Sequence, residues 1–131
     1  MSTRAKKRNT KEGLSPLDVP PEKWSTFLET FSRRHHGWLV QLETCDLVTG
    51  EKVVSRITPL DSIELDLEDE KHPRINVIVH LDNKVLKHIL FLPSRLAVES
   101  SNKGREQSLQ VETVNTETTV RFRPPMPLPS A

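Results

Sequence analysis

The apolar spacing of this chain changes once, at Gly37, and that change limits the folds open to it. Before Gly37, the residues Trp24, Phe27, Leu28 and Phe31 recur at i, i+3, i+4 and i+7. That is the stripe of an amphipathic helix that buries one face. After Gly37, Trp38, Val40 and Leu42 alternate with Gln41 and Glu43, and alternation returns repeatedly as far as Phe122. Period two is the mark of a half-buried strand. One helix followed by strands alone predicts a mainly β protein, not a bundle or a doubly wound sheet.

The helix is bounded by recognisable signals. Pro20 and Pro21 suit its start, where a missing N–H is harmless. Arg33, Arg34 and His35 fall in its last turn, where positive charge complements the carbonyl end. Gly37 is placed to leave the helix in a left-handed conformation. Trp38 is then expected to anchor the first strand beneath Trp24 and Phe27, with a cation–π contact to Arg34 as a further option.

The strands follow in short runs. A turn is expected at Thr49-Gly50 and a strand from Val53 to Thr58, interrupted by Pro59. Ile63, Leu65 and Leu67 then alternate with Glu64, Asp66 and Glu68. Ile75, Val77, Val79 and Leu81 form another strand, joined through Asp82-Asn83-Lys84 to a run ending at Leu92. Setting Leu81 opposite Leu86 puts Leu81, Leu86, Leu90 and Leu92 on one face and Ile78, Ile89 and Phe91 on the other. A strand apolar on both faces is expected to be covered on both. Pro93 recurs in the same context as Pro59, and a last hairpin is expected around Asn115-Thr116. The expectation is a helix followed by about six mostly antiparallel strands, forming a small barrel or strongly bent sheet.

Three segments are expected. Residues 1–14 carry Arg4, Lys6, Lys7, Arg8 and Lys11 against Glu12 and read as a disordered basic arm. Residues 15–123 are one domain, and 124–131 form a proline-rich tail. The net charge of +1 gives no general attraction to nucleic acid. A single cysteine, Cys45, excludes an internal disulfide. No apolar run is long enough for a signal or a membrane span, so a cytoplasmic setting with no membrane partner is expected.

The order W-S-T-F-L-E-T-F-S-R-R-H-H-G-W, from Trp24 to Trp38, resembles the opening motif of a small bacterial family of unknown function (unknown-function family 5335). Pro59, Leu60 and Ile63, then His88, Ile89 and Pro93, then Arg121 and Phe122 match later steps of its pattern. Asn115-Thr116 departs from the Asp-Gly expected at the last turn. The resemblance implies a small cytoplasmic bacterial protein and brings no activity, ligand or site residue with it.

Chemistry-bearing groups are sparse. Adjacent His35 and His36 diverge by about 100° on a helix and do not chelate one ion together. No nucleophile motif or phosphate-binding glycine loop is present. No cofactor and no catalytic or metal-ligating residue is assigned. The acidic run LDSIELDLEDE reads as a solvated strand face, and His88 as a hydrogen-bonded core histidine. The leading expectation is a non-catalytic module that binds a protein partner at an exposed strand edge or at Arg33, Arg34 and His36. One alternative is weak nucleic-acid binding through the basic arm with Arg33 and Arg34. The other is a ligand or substrate pocket inside the barrel, near His88.

Overall fold

In the computed structural model, residues 16–100 and 107–125 are described. Strand β1 (Leu17–Asp18) and a 3₁₀ turn (Pro21–Lys23) lead into α1 (Trp24–Arg34). Eight further strands follow: β2 (Leu39–Asp46), β3 (Lys52–Val54), β4 (Thr58–Asp66), β5 (Arg74–Leu81), β6 (Lys84–Phe91), β7 (Arg95–Ser100), β8 (Gln107–Glu112) and β9 (Thr116–Arg123). The protein is mainly β, and every strand pairing is antiparallel. The strands lie in the order β1-β7-β8-β9-β2-β4-β5-β6, with β3 attached to β2.

Two expectations are corrected. Nine strands form where about six were expected: β1 is too short to leave an alternating signature, and the strand expected over Val53–Thr58 divides into β3, which ends at Val54, and β4, which begins at Thr58. The sheet is also not closed into a barrel: β1 and β6 end it, and no strand pairing joins them among the described residues. Its two halves meet narrowly, since β2 pairs with β4 only at Leu39–Pro59 and Val40–Thr58.

Helix α1 covers that junction. Its buried residues are Trp24, Leu28, Phe31 and Ser32, while Ser25, Thr26, Glu29 and Thr30 face solvent. Phe31 meets Phe122 of β9 edge-on at 5.0 Å. The Ile63 N–H of β4 donates to Ser32 Oγ at 3.0 Å. One helical face therefore touches both halves of the sheet. Trp24 Nε1 donates to the Val19 carbonyl at 2.7 Å, fixing the approach to the helix. Gly37, at φ +84°, turns the chain into β2, a conformation that a residue with a Cβ adopts only under strain.

Pro59 does not interrupt its strand. It lies inside β4, where the neighbouring Leu60 N–H donates to the Trp38 carbonyl at 2.8 Å. The irregularity comes just afterwards, as a register shift between Leu60 and Ser62. The β5–β6 register is also two residues tighter than expected, with Leu81 opposite Lys84 and Val79 opposite Leu86. A two-residue turn achieves this because Asp82 takes φ +57°, which a short polar side chain tolerates. The β8–β9 turn needs no glycine. The Thr116 N–H donates to Thr113 Oγ1 at 3.2 Å, and no residue of the turn has positive φ.

Strand β6 is exposed rather than covered on both faces. Leu90 alone is buried and His88 is half-buried. The core lies instead between α1 and the inner sheet face, where Leu28, Leu60, Ile75, Leu96, Leu109, Val120 and Phe122 are almost completely enclosed.

Candidate functional site

Strand β6 ends the sheet, and its local sequence explains why it can. Residues 84, 86, 88 and 90 share the inner face, but only Leu90 is drawn fully under cover. On the outer face Val85 is 58% exposed, Ile89 37% and Phe91 57%. The two lysines of β6, Lys84 and Lys87, are exposed beside them. Lysine on an edge strand discourages indiscriminate pairing without preventing a specific one.

A cleft of about 370 Å³ opens beside this strand. His88, Ile89, Leu90 and Phe91 form one wall, and Leu42 and Thr44 of β2, Val53 of β3 and Thr118 of β9 contribute to the others. The sheet thus curls enough to bring β6 near its opposite half without hydrogen bonding to it. Thr44 and Thr118 hydroxyls bond to each other at 3.0 Å, so this wall is polar but internally satisfied.

His88 is the one histidine of this wall. Burial pushes its imidazole below the ordinary value of 6.5, because the charged ring is poorly solvated there. The core histidine is His35 instead. It is buried, and its ring stacks on Phe31 at 4.0 Å and meets Trp38 edge-on at 4.5 Å. Its Nδ1 lies 2.8 Å from the Phe31 carbonyl, so Nδ1 carries the proton and donates. The aromatic partner of Trp38 is therefore His35.

The three patch residues have separate surroundings. Arg33 reaches back along the helix to Glu29 at 3.6 Å, and Arg34 is exposed. His36 Nδ1 donates to the Asp61 carbonyl at 2.9 Å, across on β4. Asp61 also receives His80 Nε2 at 3.1 Å through its carboxylate. Trp24, Phe27, Leu28 and Phe31 lie in or against the core, and Gly37 and Trp38 make the corner. Arg4, Lys6, Lys7, Arg8 and Lys11 lie outside the described residues.

The acidic run is tied to its neighbours. Asp66 pairs with Arg74 at 3.0 Å and Asp69 with His72 at 2.8 Å. Glu64 accepts from Asn76 at 3.3 Å. No group of three or more histidine, cysteine or acidic residues forms a metal-binding set among the described residues. No helix among them is long and apolar enough to cross a membrane.

The sheet surface carries a second charged cluster. Glu43 of β2 is held by Arg121 at 2.6 Å and Lys52 at 3.1 Å. These hydrogen bonds, that of Arg121 foremost, keep its carboxyl below the ordinary value of 4.5. Both Glu43 and His88 therefore bind fewer protons folded than unfolded. Each contribution is complete above the ordinary value and is lost as the pH falls through the folded one. A stability profile should lose ground first below pH 6.5 from His88 and again below 4.5 from Glu43. His88→Gln should flatten the first limb and Glu43→Gln part of the second, as read by urea midpoints across pH. Limbs that persist unchanged in the two variants would refute the assignments.

A family model, that of a family of unknown function (DUF5335), matches this chain over residues 16–131. The chain belongs to this family. An uncharacterized protein of Aquifex aeolicus is 25% identical to this DUF5335 member over 112 residues, which cover 85% of this chain and 95% of the relative. No solved structure matches it.

Proposed function

We propose that this DUF5335 protein is a small non-catalytic interaction module whose docking edge is β6. One observation carries the reading: a terminal strand exposes Val85, Ile89 and Phe91 on one face beside a backbone edge that no strand pairs with among the described residues. Strand addition at such an edge supplies main-chain hydrogen bonds for affinity, and alternate side chains supply selectivity. Affinity capture with the wild-type chain should recover a protein that Val85→Asp with Phe91→Asp loses. Both positions are solvent-facing, so the fold should survive. The pair Arg33→Glu with Arg34→Glu tests the helix-end patch in parallel. A partner list unchanged by either pair overturns the module reading.

The cleft favours a second reading, that of a small-ligand binder. Its motive is His88, a half-buried imidazole held toward the neutral form, which can donate or accept a hydrogen bond in a cleft of about 370 Å³. A metabolite panel should then raise the melting temperature of the wild type and leave His88→Leu unmoved. Flat shifts across the panel, together with no co-purifying mass in native spectra, would dispose of it.

A further inference from the structure

The sequence of β6 is close to a palindrome about His88: Val85, Leu86 and Lys87 precede it, and Ile89, Leu90 and Phe91 follow. Backbone parity identifies which of its polar groups face away from β5. A two-residue turn makes its flanking residues, Leu81 and Lys84, a hydrogen-bonded pair. At the other end the Leu92 N–H donates to the Pro73 carbonyl at 2.9 Å, in the same parity. Bonded and non-bonded pairs alternate along an antiparallel ladder. Leu86, His88 and Leu90 thus direct their N–H and C=O toward β5. Those of Val85, Lys87, Ile89 and Phe91 point out of the sheet edge, and these same residues carry its exposed outer face.

We propose that β6 pairs antiparallel with β6 of a second copy of this chain, about a two-fold axis at His88. The inference rests on the reading of β6 as the docking edge and names its occupant. In this register Val85 lies opposite the partner's Phe91, and Leu86 opposite the partner's Leu90. Lys87 lies opposite the partner's Ile89, and Lys84 opposite the partner's Leu92. Every outward-facing residue finds an outward-facing residue, Val85 meets Phe91 and Leu86 meets Leu90, and the lysines fall opposite apolar residues rather than cations. An axis at Lys87 instead sets that lysine against the partner's Lys87, which like-charge repulsion disfavours. Axes at Leu86 or Ile89 leave one end of the strand unpaired. Charge and register together select His88.

The test is sedimentation velocity of the full chain over a range of concentrations, with circular dichroism to verify folding. The wild type should associate to a dimer. Ile89→Lys places like charges opposite each other at two symmetric positions and should weaken the dimer by about tenfold. Adding Lys87→Glu to Ile89→Lys turns both repulsions into attractions and should restore it. In a Cys45→Ser background, His88→Cys should form an intermolecular disulfide on oxidation. Residues opposite in a non-hydrogen-bonded pair lie at about 4.5 Å between Cα atoms, within disulfide reach. Lys87→Cys, displaced from its own copy across the axis, should not. A chain that stays monomeric up to its solubility limit overturns the proposal, as does a dimer indifferent to the charge exchange. If that monomer still loses its captured protein with Val85→Asp and Phe91→Asp, self-pairing fails and the docking edge stands, occupied by another protein. If capture is also unchanged, both fail.

Discussion

Replacing Phe122 by alanine is expected to destabilise the protein by about 3–5 kcal/mol, the cost of deleting a ring from a site that cannot collapse. Phe122 is 1% exposed. It is flanked by Val40 on β2 and Gln107 on β8, so strands on both sides limit relaxation. Its ring meets Phe31 edge-on and lies 5.4 Å from His35, which makes it the contact between the helix and the larger half of the sheet. Native domains are held by only about 5–15 kcal/mol, so the loss should be plain in urea unfolding followed by tryptophan fluorescence. Phe122→Leu keeps most of the volume and should lose clearly less. An alanine variant within about 1 kcal/mol of wild type would show that the interior is loosely filled, contrary to the enclosure of its neighbours.

Ser32→Ala should cost about 1–3 kcal/mol for the removal of one oxygen. Ser32 Oγ accepts the Ile63 N–H, and both residues are buried, so no solvent waits to replace it. The Ile63 N–H points away from β5, on the side where pairing of β4 with β2 stops at Thr58 and Pro59, so its partner comes from the helix instead. Ser32→Thr retains the hydroxyl and should recover much of the loss. Amide exchange at Ile63 separates this account from a general loosening. It should accelerate more than exchange at Val77, which lies opposite on β5. Equal acceleration at the two amides would assign the effect to packing instead.

Much of the framework was legible from local pattern. Trp24, Leu28 and Phe31 are buried at the spacing that marked them, and Val40, Leu42, Ile75, Val77 and Val79 alternate as expected. The β6 faces were legible too, but its register was not, because a two-residue slip leaves every side chain on its original face. What decided that register was a positive φ at Asp82, which no periodicity reports. The exposure of β6 was missed for a related reason. An apolar run looks the same whether it is central or at an edge, and strand order decides between them. His35 did carry a signal: it follows Phe31 by four residues and Leu28 by seven, on the apolar stripe. The cleft joins β6 to strands distant in sequence, so only the topology reveals it.

The narrow junction between the halves of the sheet has a consequence for the order in which the chain assembles. β4, β5 and β6 are successive strands that pair in sequence order, and so are β7, β8 and β9. Each ribbon closes through contacts near in sequence and can nucleate early. Strand β2 must instead find β9 with Leu39 opposite Arg123, across most of the chain, and the loop entropy of that encounter falls due before its contacts reward it. The zipping of β2 onto β9 is therefore the step expected to limit the folding rate. Substitutions at Val40 or Leu42 should slow refolding, whereas substitutions confined to β6 should act mainly on unfolding.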